Sequence, residues 1–94
     1  MKAEILKVTK SGEKFSVKSE KAEGGSLNKR NLVLQELGGK FENQYVASAL
    51  GSHAEIELKE GDLVLATLRF QAREYNGQSY QDITVTELMR LEKN

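Results

Sequence analysis

Five cations and three tyrosines carry the chemistry that this chain offers most plainly. Lys29, Arg30, Lys40, Arg69 and Arg73 are positioned to form a local basic surface, and Tyr45, Tyr75 and Tyr80 are aromatic rings that retain a polar tip. Cations that follow phosphates and exposed rings that stack on bases are the two components of sequence-tolerant single-strand binding. The same residues have plainer readings. Charges solvate an exterior, and two tyrosines flanking a turn form a cross-strand pair that stiffens a hairpin. His53 has no ligand partner nearby in sequence and reads as a surface histidine. Asp62 and Asp82 sit beside turns or bulges, where carboxylates accept backbone N–H bonds.

Composition removes several other chemistries. The chain has 94 residues, no cysteine and one histidine, so disulfide frameworks, zinc ribbons, thiol catalysis and His-rich metal sites are excluded. No phosphate loop, dinucleotide fingerprint or nucleophile elbow occurs. An enzyme is therefore not expected, nor a cofactor or a metal. Lys+Arg and Asp+Glu number 14 each, so no global field attracts nucleic acid. The distribution is uneven: residues 1–47 carry a net +3 and residues 48–94 a net −3. No apolar run resembles a signal peptide or reaches the length of a membrane span, and the expected location is cytoplasmic.

The elements that must position these residues read as strands. Residues 2–10 carry Ile5, Leu6 and Val8 and stop at Ser11-Gly12; Phe15 and Val17 then alternate briefly with polar residues. Residues 19–26 form a polar, glycine-ended loop. In residues 27–37, Leu32 and Leu34 share one face and Val33 takes the other. Gly38-Gly39 suits a tight hairpin that returns through residues 41–50 as an antiparallel partner. On that returning strand Phe41 and Tyr45 share parity with Ala47 and Ala49, which leaves open whether the face is core or groove, with core favoured for Phe41. Ser52 and Glu55 fit a capping box that opens a helix of one or two turns.

From Leu63 to Tyr75, Val64, Ala66, Leu68, Phe70 and Ala72 form one face, assigned to the core, while Arg69 and Arg73 point the other way. Asn76-Gly77 specifies a type I′ turn. On the return through residues 78–91, Leu88, Met89 and Leu91 break the alternation, which predicts a bulge near Glu87. The expectation is an all-β, single-domain chain: a five-stranded Greek-key OB-fold barrel with a short helix between strands three and four. An SH3-like barrel is the competitor, but it needs no helix there.

The segments Val46-Ala47-Ser48-Ala49-Leu50-Gly51-Ser52-His53-Ala54-Glu55, Leu58-Lys59-Glu60-Gly61-Asp62-Leu63-Val64 and Arg73-Glu74-Tyr75-Asn76-Gly77-Gln78-Ser79-Tyr80-Gln81-Asp82 resemble bacterial single-stranded DNA-binding proteins. They match that family's third strand and helix start, its lead into the fourth strand, and its last hairpin. The hairpin string is closer still to a family of small bacterial OB-like proteins known only as a domain of unknown function. The chain departs from the pattern at Leu50, where an aromatic residue is expected, and in having no tryptophan.

The resemblance implies a non-catalytic module that binds single-stranded nucleic acid, DNA before RNA. Its groove would lie over strands two and three, flanked by the Tyr75 hairpin and the 19–26 loop, with Tyr75 as a base-stacking ring. Free strand edges imply a homo-oligomer. The neutral charge and the missing tryptophan favour a rival from another class, a protein-interaction or assembly domain on the same barrel.

Overall fold

A computed structural model describes residues 3–20, 23–39 and 41–92. Its strands are β1 (Ala3–Ser11), β2 (Phe15–Lys18), β3 (Ser26–Glu36), β4 (Gln44–Leu50), β5 (Leu63–Tyr75) and β6 (Gln78–Glu92). They pair in the order β1-β5-β6-β4-β3-β2, and β1 also pairs with β3, so the ring of strands closes. This is the all-β OB layout, with six strands rather than five. The added strand, β2, has a simple cause. β1 pairs with β3 only over Leu32 to Glu36, and the amino-terminal half of β3 needs another partner for its backbone groups. β2 supplies it through the pairs Phe15↔Lys29 to Lys18↔Ser26.

Alternation sets the core. Leu6 and Val8 from β1, Leu32 and Leu34 from β3, and Val64, Ala66 and Leu68 from β5 meet Val85 of β6 inside the ring. β4 contributes only Ala47 and Ala49, small residues that fit where the barrel narrows. Leu58 joins from the segment before β5. The turn that follows is locked by Asp62, whose buried carboxylate accepts the Lys59 N–H at 2.8 Å. The Asp62 carbonyl accepts the Val8 N–H at 2.8 Å, tying the turn to β1.

Four expectations are corrected. The helix is a single 3-10 turn, Gly51–Glu55, with no side-chain cap; the Glu55 carboxylate bonds Lys14 Nζ and Asn28 Nδ2 instead, each at 2.7 Å. The Gly38-Gly39 connection is not a tight hairpin but a wider loop over residues 37–43, closed where the Glu36 N–H donates to the Asn43 carbonyl at 3.0 Å. Phe41 lies in that loop and is 98% exposed, so it is not core. Phe70 and Ala72 are likewise outside the core, Phe70 being 53% exposed. β5 pairs with β1 between Leu63 and Thr67, and past Leu68 every β5 residue is exposed, so the alternation runs on beyond the part of the strand that packs against the core.

Other expectations stand. β3 and β4 are antiparallel neighbours. Asn76 and Gly77 both adopt positive φ, at 51° and 78°. Pairing passes from Thr67↔Glu87 to Leu68↔Val85, so Thr86 is the extra residue of a bulge beside Glu87.

A Cβ on Gly77 would meet nothing within 4 Å, so any cost of substitution there is backbone strain alone. Gly77→Val should lower stability by ~1 kcal/mol or more in urea unfolding. Leu34→Ala, at a fully buried position, should cost about 2–5 kcal/mol, and Phe70→Ala well under half of that, in the same measurement.

Candidate nucleic-acid interface

The residues on β3 and β4 that do not point into the barrel form a continuous outer face. The pairs Lys29↔Leu50, Asn31↔Ser48 and Val33↔Val46 run along it, and the Ser48 hydroxyl lies 3.3 Å from Asn31 Oδ1. A parallel bridge, Ser48↔Thr84, brings the β5–β6 hairpin alongside. Same-side pairs then continue the face outward: Arg69↔Thr84, Gln71↔Asp82, Arg73↔Tyr80 and Tyr75↔Gln78. On the opposite flank, β2 sets Phe15 beside Lys29. Between the flanks lies an open depression of about 300 Å³, bordered by Lys29, Leu50, Arg73, Asp82 and Thr84.

On each flank a cation lies over a ring. Lys29 Nζ sits 6.0 Å from the centre of the Phe15 ring, and the Arg73 guanidinium 5.1 Å from that of Tyr80. Such contacts contribute about 0.5–1 kcal/mol at exposed sites and hold the cation near the ring. Arg73 is also paired with Asp82, Nε to Oδ2 at 2.8 Å, and this hydrogen bond holds the guanidinium pKa above its ordinary value. The Tyr80 hydroxyl donates to Gln78 Oε1 at 2.7 Å. Tyr75, at the hairpin tip, leaves 61% of its surface to solvent, and Phe15 leaves 45%.

The β2 flank is fixed to the 3-10 turn by the Lys14–Glu55–Asn28 contacts. The hydrogen bond from Lys14, followed by that from Asn28, holds the Glu55 carboxyl below its ordinary pKa. Because the folded pKa is the lower one, this contribution is complete above the unfolded-state value and is lost as pH falls through the folded one.

The structure brings Lys29, Arg69, Arg73, Tyr75 and Tyr80 onto this one face. Arg30 and Tyr45 are not on it. Arg30 follows Lys29 and so turns to the other side, opposite Ala49, where its Nε is buried without a hydrogen-bond partner. Tyr45 shares the inward parity of Ala47 and Ala49. Its hydroxyl donates to Glu36 Oε2 at 2.8 Å, which raises its pKa, and its ring meets Phe70 edge-on at 5.7 Å. Lys40 lies outside the described residues. Phe15 is the residue that sequence reading missed; its alternation with Val17 was visible, but its place beside Lys29 follows only from the β2–β3 register. His53 borders a separate cavity of about 360 Å³ with Leu65 and Met89, away from this face.

No protein-family profile matches the chain, and no curated protein matches it by sequence. Among solved structures it is similar to the second OB-fold domain of replication protein A from Methanococcus maripaludis, with a TM-score of 0.72. That match covers 98% of this chain and 84% of the other at 16% identity. A likeness at that identity speaks to architecture: the chain has the OB-fold.

Proposed function

We propose that this domain is a non-catalytic, cytoplasmic module that binds single-stranded nucleic acid, DNA before RNA, across the β3–β4 face. The observation that carries this reading is the pair of ring-and-cation flanks, Phe15 with Lys29 and Tyr80 with Arg73, facing one another over an open, partly apolar floor. Leu50 is the apolar residue of the depression, whose other borders are polar or charged; Val33 and Val46, the latter 67% exposed, continue the same face beyond Asn31 and Ser48. Bases have π-faces whatever their identity, so rings and apolar surface bind them without sequence preference, and a lysine follows the backbone. The name of the structural neighbour, replication protein A, agrees with such a role. An open groove with rings at its edges suits a flexible strand better than a duplex, whose bases are already stacked.

One specific observation favours the rival reading of an assembly domain. Ile5, Leu65 and Met89 are same-side neighbours on the exterior of β1, β5 and β6, and Ile5 and Met89 are 48% and 54% exposed. This apolar surface lies away from the groove, so self-association and strand binding are compatible within the proposal.

Fluorescence anisotropy with single-stranded DNA, single-stranded RNA and duplex at two salt concentrations separates the readings. Single strands should bind with a Kd of about micromolar or weaker, with a shallow salt slope of about −2 to −3, the signature of three or four phosphate contacts. Lys29→Ala should flatten that slope by about 0.7. Arg73→Ala should flatten it less, since Asp82 already offsets that charge. Phe15→Ala and Tyr75→Ala should each weaken binding by about 1–3 kcal/mol with the slope unchanged. No single-strand binding at low salt by the folded protein would leave the assembly reading in possession.

A further inference from the structure

The hairpin border of the groove holds a carboxylate, and single-strand binding by rings and cations does not account for it. Asp82 stands on the groove face of β6, two residues along from the Ser48↔Thr84 bridge, with its side chain 43% exposed. Its Oδ2 accepts Arg73 Nε at 2.8 Å, whereas Oδ1 lies 3.5 Å from Arg73 Nη2, too far for a strong bond. Oδ1 is thus the less engaged oxygen, and because each carboxylate oxygen has two lone pairs, both retain accepting capacity toward the depression that Asp82 borders. As reinforcement of the hairpin the pair is worth little, since exposed ion pairs contribute about 0–1 kcal/mol.

A phosphate placed here would meet like charge, so the backbone is turned toward Lys29 and away from β6. What can occupy the space beside Asp82 is the edge of a base. Ionised carboxylates only accept hydrogen bonds, so the base must present donors. Guanine presents two adjacent donors, N1–H and the N2 amino group, in the parallel arrangement that a carboxylate accepts. Its neighbouring O6 is an acceptor, suited to the Arg73 guanidinium held beside Asp82. Thymine and uracil present a single N–H flanked by two carbonyl oxygens, which repel the carboxylate. Cytosine and adenine offer one amino group each, a single contact.

We propose that Asp82, held in place by Arg73, is a base-reading residue that gives this groove a preference for guanine over thymine or uracil at one position. The inference rests on the single-strand reading and deepens it. Ser48 and Thr84 hydroxyls border the same space and are neutral to the choice, since a hydroxyl both donates and accepts.

The test is a set of short oligothymidines in which one central residue is replaced by guanine, hypoxanthine, cytosine or adenine, titrated against the wild-type protein and Asp82→Asn. Guanine should bind at least about fivefold more tightly than thymine, the range a bidentate contact confers. Hypoxanthine, which lacks only the N2 amino group, should lose most of that advantage. Asp82→Asn, with its folding checked by thermal unfolding, should bring the guanine and thymine strands to equal affinity. Equal affinity for both in the wild-type protein, or a preference that survives in hypoxanthine or in Asp82→Asn, overturns the inference and leaves the single-strand reading standing. Failure to bind any of the strands overturns both.

Discussion

The long strand β3 is the constraint on which the rest of the structure depends. Its residues are hydrogen-bonded on both edges: to β4 on one side, and on the other to β1 along its carboxy-terminal half and β2 along its amino-terminal half. A strand paired on both sides has no freedom of register, because a slip of one residue would send Leu32 and Leu34 to solvent and Val33 inward. Fixing that register fixes the groove. Lys29 must stand beside Phe15 and Leu50, and Asn31 beside Ser48, because the core residues between them are fully buried.

The β5–β6 hairpin works differently along its two halves. Up to Leu68 it is a wall of the barrel; past it every residue of β5 is exposed. The projecting half of β5 has no buried residue and relies on its turn and its ladder, with small additions from the exposed Arg73–Asp82 and Arg73–Tyr80 contacts. The charge arrangement follows the same division. Lys29 stands on the barrel flank, whereas Arg73 on the arm is partly neutralised by its own neighbour. With a formal net charge of zero, the proposed affinity for a strand rests on the face itself rather than on a field around the molecule.

Much of this was readable from residue order, and the failures share a cause. Alternation put Leu32 and Leu34 on one shared face and identified Val64, Ala66 and Leu68 as core, and Asn76-Gly77 specified its own turn through backbone conformation alone. Phe70 and Ala72 continue the same alternation, but burial needs an opposing wall, and how far the core reaches along β5 is not written in β5 itself. Phe41 failed for the same reason, being apolar in a loop with nothing above it. Ser52 and Glu55 have the residue types of a capping box. Asn28 and Lys14, distant in sequence, claim the Glu55 carboxylate, and the segment closes as one 3-10 turn. On the outer face, Arg69 and Arg73 were legible from parity, Lys29 and Tyr80 from residue type, and Tyr75 from the resemblance. Phe15 required knowing which strand lies beside Lys29. Arg30 was chosen for its charge although it follows Lys29 and so turns to the other side, and the parity of Tyr45 left its face open until the β3–β4 register fixed it.

The central claim is one of place: a single strand lies across β3 and β4, between β2 and the projecting hairpin. Amide chemical-shift mapping during titration with a short single-stranded oligonucleotide tests it most directly. The account predicts shifts concentrated at Phe15, Lys29, Asn31, Ser48, Leu50, and on the hairpin from Gln71 to Thr84, with Ile5, Leu65 and Met89 unmoved. Shifts centred on Ile5, Leu65 and Met89, or none at saturating oligonucleotide, would contradict it.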